Sequence, residues 1–381
     1  MRHLPDNMGR SHFQAPGKLP ELVKSRFINA KANGDIHFYP TQVTVLSPAS
    51  VPFQLRFSPT LAIKPKGPPP SPNTGKPIDP FESPPLASRI GEVGDDHTLL
   101  LNKFAIVPEH FLVITNSFEK QTDLLQAGDL AATYACIKAY REEGLELFAF
   151  FNSGPHSGAS QPHRHLQLLP VERMRDGLAE EQEGEWEGAA AGAGAGGRRP
   201  AGWDLLADRL AAAGDASEYG SSGSVLPFVT FSERLGKEMS PRSLRSVYLR
   251  LYRQACAAVE GRPIPPAKRP RVAAAGKGDE ERSYSSEEEY EDEDEDGLET
   301  EARISYNIAM THDAMIILPR LAEGDIIRDG EGKEVGRLAL NGTVLAGTAL
   351  VKSQAEWDAL EGDGGAQLWE ILEKIGVKPS K

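Results

Sequence analysis

Apolar and polar positions recur with two periods along this chain, and the changes of period divide it into helices and strands. Leu22, Val23, Phe27 and Ile28 fall three and four residues apart and predict a helix over 19–32 that ends at Asn33-Gly34. Short strands are predicted at 36–39, 43–46 and 53–57, the last alternating as Phe-Gln-Leu-Arg-Phe. Strands resume at 98–101 and 111–115. An amphipathic helix is then predicted over 124–143, with Leu130, Tyr134, Ile137 and Tyr140 on one face, followed by the apolar strand Leu147-Phe-Ala-Phe-Phe151. Further on, a long helix is predicted over 241–260, strands at 306–310, 314–318 and 348–351, and a closing helix over 357–375. Strands come in neighbouring pairs separated by a few long helices, an order that favours an α+β fold with an antiparallel sheet over a doubly wound one.

Three stretches carry no period. Residues 64–85 are proline-rich and are expected to form a surface excursion. Residues 184–201 mix alanine and glycine without an apolar face, so they are expected to be a flexible loop. Residues 261–302 are basic first, at Lys268-Arg-Pro-Arg271, and then acidic through Glu287–Asp296, where like charges repel and solvate. One folded domain is therefore expected, running over 19–260, interrupted by a disordered insert at 261–302 and completed by 303–381.

Composition changes this picture in two respects. The formal net charge is −13, which argues against nucleic acid as a partner, but most of it is concentrated between Asp279 and Glu301. The remainder is close to neutral, so an anionic ligand meets no global barrier. No run of about 18 apolar residues occurs and the first residues lack the apolar core of a secretory signal, so no membrane partner is expected. Two cysteines, Cys136 and Cys256, form no paired motif and fit a reducing compartment. Cytoplasmic placement is expected, with nuclear entry through the Lys268–Arg271 cluster as the alternative.

The candidate chemistry lies in Asn152-Ser-Gly-Pro-His-Ser-Gly-Ala-Ser-Gln-Pro-His-Arg-His-Leu-Gln167. On an extended backbone His163, His165 and Gln167 project to one side, and Arg164, Leu166 and Leu168 to the other. A neutral imidazole attacks phosphorus through one ring nitrogen when the other donates to a fixed acceptor, and a nearby amide can hold the phosphoryl oxygens. Alternating histidines also suit zinc, but no further ligand set accompanies them. Neither a P-loop nor a strand-linked GxGxxG is present. Gly158, Ala159 and Ser160 are small residues where backbone could approach an anion, and His156 lies outside the alternating face.

The His163-x-His165-x-Gln167 string resembles the signature of the nucleotidyl-transferring branch of the histidine triad superfamily. More closely, the chain resembles the fungal ATP adenylyltransferase (diadenosine tetraphosphate phosphorylase) family. Supporting stretches are Arg56-Phe-Ser-Pro-Thr-Leu-Ala-Ile-Lys64, Leu101-Asn-Lys-Phe104 with His110 following, Ser305-Tyr-Asn307, Pro319-Arg320 and Leu345-Ala-Gly-Thr-Ala-Leu-Val-Lys352. The resemblance implies a histidine triad-like α+β fold in a single catalytic domain, with helices on one face of the sheet. It implies His165 as nucleophile, His163 as its support, positioning the loop or donating to phosphate, and Gln167 on the nonbridging oxygens. It further implies substrate contacts from Lys64, Asn102, Lys103, Asn152, Gly158, Ala159, Ser160, Gln161, Asn307, Thr311, Met315 and Arg320; Ala314 stands where the family often carries an aromatic residue.

The implied reaction is reversible phosphorolysis of diadenosine tetraphosphate to ATP and ADP through AMP-histidine, with exchange against adenosine phosphosulfate. The implied partners are dinucleoside polyphosphates, ATP, ADP and inorganic phosphate. No protein metal site is expected, only a divalent cation, Mg²⁺, carried by substrate phosphates, and the working unit is expected to be a monomer. Two rivals remain open at this point: a dinucleoside polyphosphate hydrolase with the same histidine face, and a nuclear interaction protein acting through the acidic insert. With an ordinary imidazole pKa of about 6.5, attack by His165 is expected to rise with pH around neutrality.

Overall fold

The computed structural model describes residues 13–60, 79–178, 202–214, 226–265 and 300–379. Fifteen strands are formed among them. In chain order they are β1 (His37–Phe38), β2 (Gln42–Leu46), β3 (Phe53–Phe57), β4 (Arg89–Val93), β5 (His97–Leu101), β6 (Phe104–Ala105), β7 (Phe111–Thr115), β8 (Leu147–Ser153) and β9 (His165–Pro170). The second half contributes β10 (Phe231–Arg234), β11 (Ser305–Met310), β12 (Ala314–Arg320), β13 (Gly324–Arg328), β14 (Glu334–Ala339) and β15 (Thr348–Val351). The helices are α1 (Leu19–Asn33), α2 (Ala127–Glu142), α3 (Val171–Met174), α4 (Leu206–Gly214), α5 (Pro241–Val259), α6 (Gln354–Gly362) and α7 (Ala366–Ile375).

Eight strands make one sheet in the order β10-β12-β11-β8-β9-β7-β5-β4, antiparallel throughout. This is the expected α+β class. Alternation along its strands separates two cores. Val113, Ala149, Phe151, Leu166, Leu168 and Ile308 face α1, α2 and α5. Phe148, Phe150, Leu169, Ala309, Ile316 and Leu318 face the opposite way, against α4, α6, α7 and the three-stranded sheet β15-β3-β2. Helices therefore cover both faces, whereas the resemblance implied one. The parallel pair β3–β15 joins Thr348–Val351 to Gln54–Phe57, so the two ends of the chain close the second core together.

The predicted closing helix is two helices. Gly364 and Gly365 both have positive φ, +67° and +88°, and Asp363 accepts hydrogen bonds from Gly365 N and Gln367 N, which stops α6 and starts α7. Several elements had no strong period to reveal them: β4 and β10 are edge strands of the large sheet, and β13–β14 is a mostly half-exposed hairpin. Lys64, the loop at 184–201 and insert residues 266–299 lie outside the described residues. The end of that insert is seated on the domain, with Leu124 N donating to Thr300 O (2.7 Å) and Ala302 N to Thr122 O (2.8 Å). Among the described residues no helix is long and apolar enough to cross a membrane.

Candidate active site

The face that the signature strand turns away from α2 and α5 carries the candidate chemistry. Leu166 and Leu168 of β9 are in the helix-side core, so His165 and Gln167 must point the other way, as the period-2 pattern required. Across the β7–β9 ladder His165 lies opposite Ile114 and Gln167 opposite Leu112. His165 is only 3% exposed, and its Nδ1 lies 2.9 Å from the His163 carbonyl oxygen. A carbonyl can only accept, so Nδ1 carries the proton and the lone pair sits on Nε2. The Phe81 ring stacks obliquely beside it, with centroids 5.2 Å apart.

Two braces hold that imidazole. His163 is buried with both ring nitrogens engaged: Nδ1 meets Asp79 Oδ2 at 2.6 Å, and Nε2 meets the Thr115 hydroxyl at 3.0 Å and the Thr115 carbonyl at 2.9 Å. Of the two roles implied for His163, this geometry supports positioning, since its ring is occupied by protein partners and its carbonyl orients His165. The second brace is Gln121. Its Oε1 accepts from His165 N (2.8 Å), and its Nε2 donates to Asn152 O (2.8 Å) and His165 O (3.2 Å). A side-chain amide thus replaces the ladder where β8 and β9 part, which frees the chain between them to form the 154–164 loop. Gln121, Asp79, Phe81 and Thr115 were not singled out from the sequence. Thr115 ends a predicted strand and the other three lie in segments without periodicity or signature, and only the fold brings all four to His163 and His165.

The loop closes over a second polar cluster. Asn152 Oδ1 accepts from Asn307 Nδ2 and from Gly342 N, both at 2.8 Å. Asn307 Nδ2 also donates to Ser157 O (2.9 Å), and Arg320 donates to Asn307 Oδ1 and to the carbonyls of Ala322, Glu323 and Leu340. Burial lowers the Arg320 pKa to about 10, with Glu323 acting in the other direction. Asn152, Asn307 and Arg320 are thus brought together under the loop. Gly154 and Gly158 have φ of +86° and +78°, and a Cβ on either would run into Ser305 or Asn341. Gly158, Ala159, Ser160 and Gln161 form the loop rim, where Ala159 and Ser160 are exposed.

The other candidates are placed differently. Asn102 is half-buried at the end of β5 and hydrogen-bonds His110, while Lys103 beside it is exposed. His110, noted in the sequence only as part of a supporting stretch, is buried and lies diagonally beside Gln167 on the same face. Met315 is not with them: it is fully buried in the helix-side core. Thr311 is four residues beyond Asn307 on the β11 line, about 13 Å away at strand rise, and lines a cavity of about 60 Å³ with Arg141, Glu146 and His312. Ala314 is buried in the second core at that same far turn.

Burial pulls the His165 pKa down to about 4; the neighbouring His163 acts in the same direction, and the hydrogen bond to the His163 carbonyl opposes both. The expected acid limb near neutrality therefore moves. An imidazole that attacks phosphorus, as the resemblance implies for His165, does so in its neutral form, and a lowered pKa leaves that form populated at every pH above that value. kcat/KM should be flat between about pH 5.5 and 8 and fall below that, with its midpoint near pH 4. A stopped-time adenylylation series in inert buffers checks this. A midpoint between about 6 and 7 would mean that His165 is solvated rather than buried.

Two family models match this chain in succession: Ap4A phosphorylase N-terminal domain over residues 9–180 and ATP adenylyltransferase C-terminal domain over residues 224–378. Among curated proteins of Saccharomyces cerevisiae, Protein APA1 is 34% identical over 165 residues, covering 41% of this chain and 50% of that one. Diadenosine 5',5'''-P1,P4-tetraphosphate phosphorylase 2 is 33% identical over 165 residues, covering 40% and 50%. The chain thus spans about half the length of the curated relatives it matches. The crystal structure of yeast Ap4A phosphorylase Apa2 shares the fold, with a TM-score of 0.66 at 20% identity over 96% of this chain and 99% of that one. Its complex with Ap4A gives a TM-score of 0.65 at the same identity, over 96% and 99%. The first model takes in the β8–β9 signature and the second takes in β11 and β12, the segments that meet under the 154–158 loop, and the chain belongs to the Ap4A phosphorylase and ATP adenylyltransferase family.

Proposed function

We propose that this protein is a nucleotidyltransferase that phosphorolyses dinucleoside polyphosphates, with diadenosine tetraphosphate giving ATP and ADP. The observation that carries the reading is the fixed tautomer of His165, whose Nδ1–H is tied to the His163 carbonyl at 2.9 Å within a buried face. Nε2 attacks the phosphorus of an adenylyl group, a P–N bond forms, and the bridging P–O bond breaks to release ATP. An oxygen of inorganic phosphate then attacks the same phosphorus, the P–N bond breaks and ADP leaves. Gln167 donates to the nonbridging oxygens as charge shifts. The same intermediate would support the reverse synthesis and exchange with adenosine phosphosulfate. One curated relative and a crystal complex of the same fold carry names consistent with this chemistry.

The rest of the reading follows the substrate. Mg²⁺ enters as the counter-ion of the polyphosphate, bound through its oxygens; among the described residues no group of three or more His, Cys, Asp or Glu is gathered for a metal, and no protein ligand is assigned. A monomeric working unit is part of the same proposal. Placement in the cytoplasm is proposed, with nuclear entry as the alternative.

Intact-protein mass spectrometry after incubation with diadenosine tetraphosphate and no phosphate should show one added adenylyl group, mapped by fragmentation to His165. Adding phosphate should discharge it as ADP. Discharge by water at the same rate with and without phosphate would make the protein a hydrolase, and absence of any adduct under rapid quench would remove the covalent route.

A further inference from the structure

Asn102, His110 and Gln167 stand just after β5, just before β7 and within β9 in turn, and a single backbone N–H fixes the direction of the hydrogen bond between the first two. Asn102 leaves β5 directly opposite His110, which leads into β7, and Asn102 N donates to His110 O at 2.9 Å. Since Leu112 is paired with Gln167 across the β7–β9 ladder, His110 lies diagonally beside Gln167 on the same face. Phe150, which pairs with Gln167 across the β8–β9 ladder, has its ring centroid 6.5 Å from that of His110.

Phe104 N donates to Asn102 Oδ1 at 3.1 Å. A backbone N–H cannot accept, so the oxygen end of Asn102 is pinned on Phe104 and its NH₂ is turned to His110. The Nδ2 to Nδ1 distance is 2.9 Å, against 3.4 Å to Nε2, and the shorter approach makes Nδ1 the acceptor. A neutral ring that accepts at Nδ1 carries its proton on Nε2. That puts a donor on the side of the ring away from Nδ1, and an amide accepting from it through Gln167 Oε1 would turn the Gln167 NH₂ outward.

We propose that His110 is a positioning residue for the reaction, one that presents the donor end of the Gln167 amide, and not its oxygen, to the phosphoryl group. The inference rests on the proposed roles of His165 and Gln167. Its consequence is electrostatic: nonbridging phosphoryl oxygens only accept, so a flipped amide would set oxygen against oxygen where a donor is needed. Burial, and then the nearby His165, lower the His110 pKa to about 3, which keeps the ring neutral and its tautomer intact at working pH.

Two measurements test this separately from the reaction itself. Nitrogen-15 spectra of histidine-labelled protein should show His110 with a bare Nδ1 and a protonated Nε2; the opposite tautomer overturns the relay, whatever reaction the enzyme performs. The second measurement is a cycle of His110→Phe and Gln167→Ala on the single-turnover adenylylation rate. His110→Phe should slow adenylylation about tenfold or more with little change in substrate affinity, yet alter it by less than about twofold once Gln167 is Ala. Independent, multiplicative losses would mean His110 does not act through Gln167. Should the Phe variant not fold, the tautomer of the unaltered protein still decides, and failure of the unaltered protein to form any adduct would count against the proposed function rather than the relay.

Discussion

His165→Ala should abolish the adenylyl adduct and lower turnover by about 10⁴-fold or more, because the proposed reaction takes its attacking lone pair from His165 Nε2. The ring is oriented by His163 O and its backbone by Gln121, and neither bond to Gln121 involves the imidazole. The braces therefore survive the substitution. The fold should persist with an unfolding midpoint shifted by roughly 1 kcal/mol of stability, checked by near-ultraviolet circular dichroism beside the mass of the trapped species. An adduct of unchanged yield on the variant would assign the nucleophile elsewhere. A loss of the folded signal would mean that the imidazole is a packing element first.

The largest effect on stability should come from the other face of the same strand. Arg164 and Asp129 are each 2% exposed and pair at 3.1 Å, with Asp123 at 3.9 Å from the same guanidinium. Asp129 also meets His97 Nε2 at 2.9 Å and accepts from Gln126 N at 2.7 Å as part of the capping box that starts α2. Asp129→Ala leaves a buried guanidinium without its close partner, which costs about 3–5 kcal/mol, and the lost cap adds about 1 kcal/mol. Denaturant unfolding should show a lowered midpoint at unchanged slope. A change below about 1 kcal/mol would show that Asp123 and solvent replace the partner. Asp129→Asn should be milder, since the amide oxygen keeps the cap while the charge is lost.

Arg164 and its neighbours show how one strand can serve both purposes. Period-2 alternation sends His165 and Gln167 to the site, while Leu166, Leu168 and Arg164 face the helices. The same arithmetic explains Met315, whose place on β12 puts it among helix-side residues and not beside Asn307.

Local pattern alone was enough to locate α1, α5, β3, β7, β8 and β11 to within a residue or two, because each has a strong period bounded by glycine, proline or a polar turn. It also separated the two faces of β9 and so placed His165 beside Gln167, since side-chain alternation is a property of the backbone itself. The Gly364-Gly365 break in the last helix was missed, as an apolar period that continues across two glycines outweighs them in sequence. What only the tertiary structure decided is who surrounds the imidazole. Asp79 and Phe81 come from the segment before β4, Thr115 from the end of β7 and Gln121 from the loop after it, and their contacts with His163 and His165 depend on strand order and loop closure over long separations. The same holds for the lowered pKa of His165: a sequence specifies that an imidazole is present, but its proton affinity depends on how much water the assembled fold excludes.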